Sequence, residues 1–322
     1  MADGSRLRTI RALTVTALVI AFAQIVFGAI VRITGSGLGC GEHWPDCYGS
    51  YTPMKHSVGL LIEISHRYGA AALSLAILTL FVFVWRDRDA ARGRGGRNLL
   101  APASAALALV IVAALFGAVT VKLGLATWVV VTHLAIAMSL LAVLVEVLVR
   151  AGGFGGTRLA EAGDYRRSRG SARVALILAF VTLLLGALTA NTAGAPVACG
   201  GFPWCRTGMS GGTPFTIHIT HRILAFLLFG HLIGVMMMTR KRHPGSRVAR
   251  TATVAVFAIV IQLIIAAALV EMNLPLVLRS LHQAVGTLVW IAIAKLYSLT
   301  GAAIAANPSP AASARAPVRA AA

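Results

Sequence analysis

The chain is 322 residues long, 58% hydrophobic and 12% charged, with a mean hydropathy of +0.82. Soluble domains carry about 25% charged residues, so this composition excludes a disordered protein, a collagen and an ordinary soluble enzyme. The formal charge of +19, from 29 Lys and Arg against 10 Asp and Glu, would point to nucleic acid in a soluble protein. On so apolar a background it reads as an orientation signal in a membrane, and no nucleic-acid partner is expected.

A span needs about 20 mostly apolar residues. Eight stretches qualify, at roughly 12–31, 58–85, 99–121, 127–149, 172–190, 215–238, 251–270 and 280–299. The first is long enough to stay as a span and shows no small-residue cleavage site, so a cleaved signal peptide is not expected. The connection after the second span reads RDRDAARGRGGR (86–97), and the one after the fourth runs from Arg150 to Arg173. Most Lys and Arg fall on that side, which places both termini in the cytoplasm. Residues 301–322, rich in Ala, Pro, Ser and Arg, read as a disordered tail.

The chain carries a weak internal repeat. Ile64-Ser65-His66-Arg67 in the second span returns as Ile219-Thr220-His221-Arg222 in the sixth. Cys40 and Cys47 precede the first of these motifs, and Cys199 and Cys205 precede the second. His133 of the fourth span pairs with His282 of the eighth, and all these offsets lie between 149 and 159 residues. Four spans per half give both halves one orientation. The expected fold is an all-α integral membrane protein of eight transmembrane helices in two pseudo-symmetric four-helix bundles. The first bundle covers 1–150, a cytoplasmic linker 151–173, and the second bundle 174–300.

Ionisable residues inside a membrane are costly and mark function by default. His66, His133, His221 and His282 each lie near the outer end of a span, roughly 9–12 Å deep, with His282 slightly shallower, at about 1.5 Å of rise per residue. No carboxylate or thiolate in the helices completes a tetrahedral or octahedral set. Two histidines between helices suit a haem iron, whose porphyrin supplies the other ligands. His43, His56, His231 and His243 read as solvated or packing residues. Arg67 and Arg222 are placed either to reach haem propionates or to snorkel to the outer interface.

The repeat breaks where Glu63 stands three residues before His66 and His218 three before His221. At that spacing each pair shares a helix face, so both side chains are expected to point towards the histidine pocket. Glu63 suits a proton acceptor or a stabiliser of a cationic intermediate, or else a partner for Arg67. The asymmetry suggests that one half reacts and the other holds a fixed cofactor. The cysteines lie in outer loops of an oxidising compartment, where Cys40–Cys47 and Cys199–Cys205 are the expected disulfides. They act as staples, or the first pair also exchanges electrons.

Val31-Arg32-Ile33-Thr34-Gly35-Ser36-Gly37-Leu38-Gly39-Cys40, with Trp44-Pro45 and Cys47, resembles the first-loop signature of the haem A synthase family. Glu63-x-x-His66-Arg67, Gly117-Ala118-Val119-Thr120-Val121, Thr132-His133-Leu134, His221-Arg222 and Leu274-Pro275 with His282 resemble its later motifs. Ala190-Asn191-Thr192-Ala193-Gly194 departs, lacking the Arg that precedes Thr-Gly-Ser-Gly in the first half. The resemblance implies an eight-helix enzyme of the bacterial plasma membrane that oxidises a methyl group of haem O to a formyl group, giving haem A for terminal oxidases. It implies His66, His133 and Glu63 on the substrate side, and His221 and His282 as ligands of a haem b cofactor. A haem O synthase (a farnesyltransferase) would supply the substrate, and terminal oxidase assembly would take the product. The competing expectation is a dihaem b-type electron-transfer cytochrome.

Overall fold

The computed structural model describes residues 2–51, 57–86, 98–155, 165–206 and 211–306. His56, most of the 86–97 connection, residues 156–164 and the tail beyond 306 lie outside the described residues. Among the described residues eight α-helices follow in chain order: α1 Ala2–Ile33, α2 Val58–Arg86, α3 Leu100–Lys122, α4 Thr127–Arg150, α5 Arg166–Asn191, α6 Gly212–Arg242, α7 Arg247–Glu271 and α8 Leu276–Ala306. Among the described residues these are the helices long and apolar enough to cross a membrane. An apolar run in lipid must satisfy its backbone internally, and a helix does so within one segment.

Two boundaries differ from expectation. Helix α5 starts at Arg166, inside the expected 151–173 linker, and α8 continues to Ala306, inside the expected 301–322 tail. The apolar span marks only what lipid requires. Arg at the start of α5 and Ala at the end of α8 are both strong helix formers, so the helices run on past their apolar spans.

The α3–α4 and α7–α8 turns close alike, on consecutive left-handed residues: Gly124 and Leu125, then Asn273 and Leu274. In each the leucine N–H returns to the helix, from Leu125 to the Thr120 carbonyl (2.9 Å) and from Leu274 to the Leu269 carbonyl (2.8 Å). Within each half the helices touch in the same order. α1 meets α2 and α4, and α3 meets α2 and α4; α5 meets α6 and α8, and α7 meets α6 and α8. Between halves α4 lies on α8, with α1 touching α8 and α4 touching α5.

Small residues allow these approaches, since lipid-embedded helices associate by close packing. Ala17 and Ala21 of α1, Ala103 and Ala106 of α3, and Ala175 and Ala179 of α5 are all buried in the core. Buried Trp290 of α8 donates through Nε1 to the Met138 carbonyl of α4 (2.8 Å), pinning the central contact. α8 is the central element, with 67% of its most apolar window buried against 17–33% for the others.

The interior is divided along its length. On α4 no residue from 130 to 137 is buried, whereas Met138, Leu141 and Leu144 beyond them have no exposed surface. On α8 none from 276 to 285 is buried, whereas Ile293, Leu296 and Leu299 are fully enclosed. At the end near the arginine-rich connections α4 and α8 are tightly enclosed; towards the cysteine loops the same two helices are only partly buried.

Candidate haem-ligand sites

The four histidines stand at that less enclosed level, two in each half. In the first, His66 of α2 and His133 of α4 lie within electrostatic reach of each other. The His66 ring rests on α1 between Gln24 and Gly28. The Gln24 amide donates to His66 Nδ1 (2.9 Å) and to its carbonyl (2.6 Å). A Cβ at position 28 would lie 3.2 Å from His66 Cε1, so glycine leaves the ring its place. His133 faces Gly117 of α3, where a Cβ would lie 3.7 Å from Cε1. Its Nδ1 is buried without a hydrogen-bond partner.

In the second bundle His221 of α6 and His282 of α8 lie within reach of each other. His221 Nδ1 meets the Thr182 carbonyl of α5 at 3.0 Å. A Cβ at Gly186, one turn on, would come within 2.9 Å of His221 Cε1. The Gln262 amide of α7 donates to the His282 carbonyl (3.0 Å) and faces Nδ1 and Nε2 (3.1 and 3.3 Å). The charge and histidine pattern of the sequence does not single out Gln24, Gln262, Gly28 or Gly186. Two amides inside apolar spans, and two glycines 158 residues apart, are the signals it does carry.

These sites fit a haem. Each has two imidazoles on helices placed diagonally across the bundle, at a level where the residues of α4 and α8 are only partly buried, and glycines where the rings lie against α1 and α5. Among the described residues no three His, Cys, Asp or Glu side chains gather as a metal site. A porphyrin supplies the ligands that a pair of imidazoles lacks.

Above each site sits a disulfide loop. Cys40 is bonded to Cys47 and Cys199 to Cys205. Glu63 is 4% exposed, and both its oxygens are engaged: Oε2 accepts from the Cys40 N–H (2.8 Å) and Oε1 pairs with Arg67. Arg67 also donates to the carbonyls of His43 (2.8 Å), Asp46 (2.8 Å) and Pro45 (3.2 Å). In the second half His218 Nδ1–H donates to the Ala195 carbonyl (2.8 Å), and its Nε2 accepts from Arg222 Nε (3.2 Å). Arg222 further donates to the carbonyls of Cys199 (2.6 Å) and Gly201 (2.7 Å). Glu63 and His218 therefore reach up into their loops, and both arginines clamp loop carbonyls.

The second loop has one more anchor. Glu271 at the end of α7 accepts from the Phe202 N–H (2.9 Å) and pairs with Arg206. Of the remaining histidines, exposed His43 lies 5.0 Å from the Tyr48 ring, while His231 Nε2 meets the Ser171 carbonyl (3.0 Å). His243 is buried and stacked on Tyr165 at 3.9 Å.

The sequence matches the COX15-CtaA family, described as cytochrome oxidase assembly protein, over residues 11–59 and 56–294. It is 27% identical to a haem A synthase of Alkalihalophilus pseudofirmus over 73% of this chain and 77% of that protein. To a haem A synthase of Staphylococcus haemolyticus it is 29% identical, over 85% and 90%. A short stretch of 42 residues is 57% identical to part of a protoheme IX farnesyltransferase of Thermus thermophilus, covering 13% of this chain and 7% of that protein. With eight spans and a match along most of its length, the chain is a multi-pass membrane protein that belongs to the COX15-CtaA cytochrome oxidase assembly family.

Proposed function

We propose that this chain is a haem A synthase of the bacterial plasma membrane, oxidising a methyl group of haem O to a formyl group by successive hydroxylation and so acting as an oxidoreductase on a CH group. The observation that carries the reading is the two pairs of facing histidines, one pair in each half. One site serves a substrate and the other a resident cofactor. Both termini and the arginine-rich connections face the cytoplasm by the charge distribution, which puts the disulfide loops outside.

His66 and His133 would hold haem O, with Glu63 in the same half. Its carboxylate lies one helical turn from His66 and is charge-paired with Arg67, so it can stabilise positive charge or accept a proton there. His221 and His282 would hold haem b, which supplies one-electron redox chemistry when bound. His218, neutral between Ala195 and Arg222, gives the second half no acid–base group of that kind. Arg67 and Arg222 hold the loops over the two sites and would be available to contact the propionates of a bound haem. A membrane farnesyltransferase is the reaction class that supplies haem O, and a terminal oxidase is the consumer of haem A.

The test is co-expression with a haem O-forming farnesyltransferase in a host that makes no haem A, followed by extraction and chromatography of haems from membranes and purified protein. Haem A and its alcohol precursor are expected. Two haem b groups with no haem A would instead establish a dihaem electron-transfer cytochrome.

A further inference from the structure

An imidazole that ligates through Nε2 carries its proton on Nδ1, and that N–H needs an acceptor. His221 has one in the Thr182 carbonyl at 3.0 Å. His133 Nδ1 lies buried without a hydrogen-bond partner, with the Ala113 backbone facing the ring. His66 and His282 instead face primary amides. Gln24 lies 2.9 Å from His66 Nδ1, and Gln262 lies 3.1 Å from His282 Nδ1. The Gln262 oxygen is buried without a partner.

A carboxamide holds a donor and an acceptor on one rotatable group, so turning it over exchanges an N–H for an oxygen, here in place of the amide's bond to the histidine carbonyl (2.6 Å for Gln24, 3.0 Å for Gln262). Both glutamines have a glycine beside them, one turn past the histidine they serve. A Cβ at position 69 would collide with Gln24 Oε1, and one at position 286 would lie 3.2 Å from Gln262 Nε2. The arrangement is not simply inherited from the repeat. Gln24 corresponds to Thr182 by the offset that links Gly28 to Gly186, and Gln262 corresponds to Ala113 by the offset that links His282 to His133. Each bundle thus sets one histidine against backbone and one against a glutamine. The glutamine serves α2 in the first bundle and α8 in the second.

We propose that Gln24 and Gln262 are positioning residues whose carboxamides turn to accept the Nδ1–H of His66 and His282, fixing the ligating tautomer and setting the strength of one axial bond in each bundle. This rests on the reading that the four histidines hold haem. The experiment uses the purified full-length protein carrying Gln262→Glu, Gln262→Ile, Gln24→Glu or Gln24→Ile, with low-spin haem EPR, a redox titration and haem extraction as readouts.

Glutamate is a stronger acceptor and isoleucine accepts nothing, so the two changes should move the potential of the affected haem in opposite directions, down for Glu and up for Ile. The Ile variants should also retain that haem about 10–100-fold less tightly, with the other bundle's signal unchanged. A merely structural amide would leave the potential unmoved or shift it the same way in both variants, and either result overturns the proposal. Where an Ile variant fails to fold, the isosteric Glu variant decides: an unmoved potential and EPR spectrum sink the idea. His282→Ala separates the two levels. If it keeps both low-spin haems, the ligand reading itself fails; if it loses one while the Gln262 variants are silent, only this inference does.

Discussion

The two bundles use one helix arrangement to hold two differently anchored loops. In the first, Glu63 and Arg67 of α2 bind the Cys40–Cys47 loop through the Cys40 N–H and three carbonyls. In the second, His218 and Arg222 of α6 bind carbonyls around Cys199–Cys205, and Glu271 of α7 adds a third point of attachment. The residue corresponding to Glu271 in the first half is exposed Lys122, which cannot accept an N–H. A loop tied to two helices suits a resident cofactor, and one held by charged side chains of α2 suits a substrate that comes and goes. The same corner that anchors the first loop also puts the carboxylate where chemistry is proposed.

The largest expected effects come from the ligands. His221→Ala or His282→Ala should abolish one low-spin haem signal and leave the other, and haem A formation should fall by more than the about 10–100-fold typical of indirect changes. His66→Ala and His133→Ala should do the converse, losing haem O from the purified protein. Loss of both haems in any one variant would mean that the bundles do not work as separate sites. Next in size is Glu63→Gln, for which haem A formation should fall about 100–10,000-fold with haem O still bound. His218→Gln should leave turnover nearly unchanged. Equal losses in these two variants would reduce Glu63 to a loop anchor like its counterpart.

Much of this division is legible in the amino-acid sequence. Each histidine stands out because ionisable side chains inside a span are costly, and the repeat sets them in pairs. The Glu63–His218 difference is visible as a break in that repeat, although both side chains reach up into the loops. Loop anchoring is not legible: a bond from Glu63 to the Cys40 N–H depends on how the loop folds back over α2, and no periodicity records that. The glutamines escape because neutral amides do not register as charges in a hydropathy reading, yet they bond across helices as readily as histidines do. Gly28 and Gly186 are hidden among 32 glycines; only the ring lying on each shows what it is for.

Those glycines give a graded test of the comparison. An added Cβ would come 2.9 Å from His221 at position 186, 3.2 Å from His66 at 28 and 3.7 Å from His133 at 117. Gly186→Ala should therefore disturb its site most, at an overpacking cost of about 1–3 kcal/mol. Gly28→Ala should cost less and Gly117→Ala almost nothing, as read by thermal unfolding in detergent and by the EPR of the affected haem. A reversed order would mean that the rings sit elsewhere when haem is bound.

The smallest effect belongs to Glu271, and it tests the anchoring difference most directly. Its pair with Arg206 is largely exposed, with side-chain exposures of 45% and 63%, and exposed pairs contribute about 0.2–1 kcal/mol. Glu271→Gln keeps an oxygen for the Phe202 N–H and removes the charge from Arg206; Glu271→Leu removes both. Protease sensitivity or thiol-reduction rate of the second loop should rise slightly for Gln and more for Leu, towards the values of the first loop, with haem content unchanged. If the Leu variant leaves the second loop no more labile than before, the third attachment has no energetic weight, and the difference between fixed and exchangeable sites must lie in the bundles themselves.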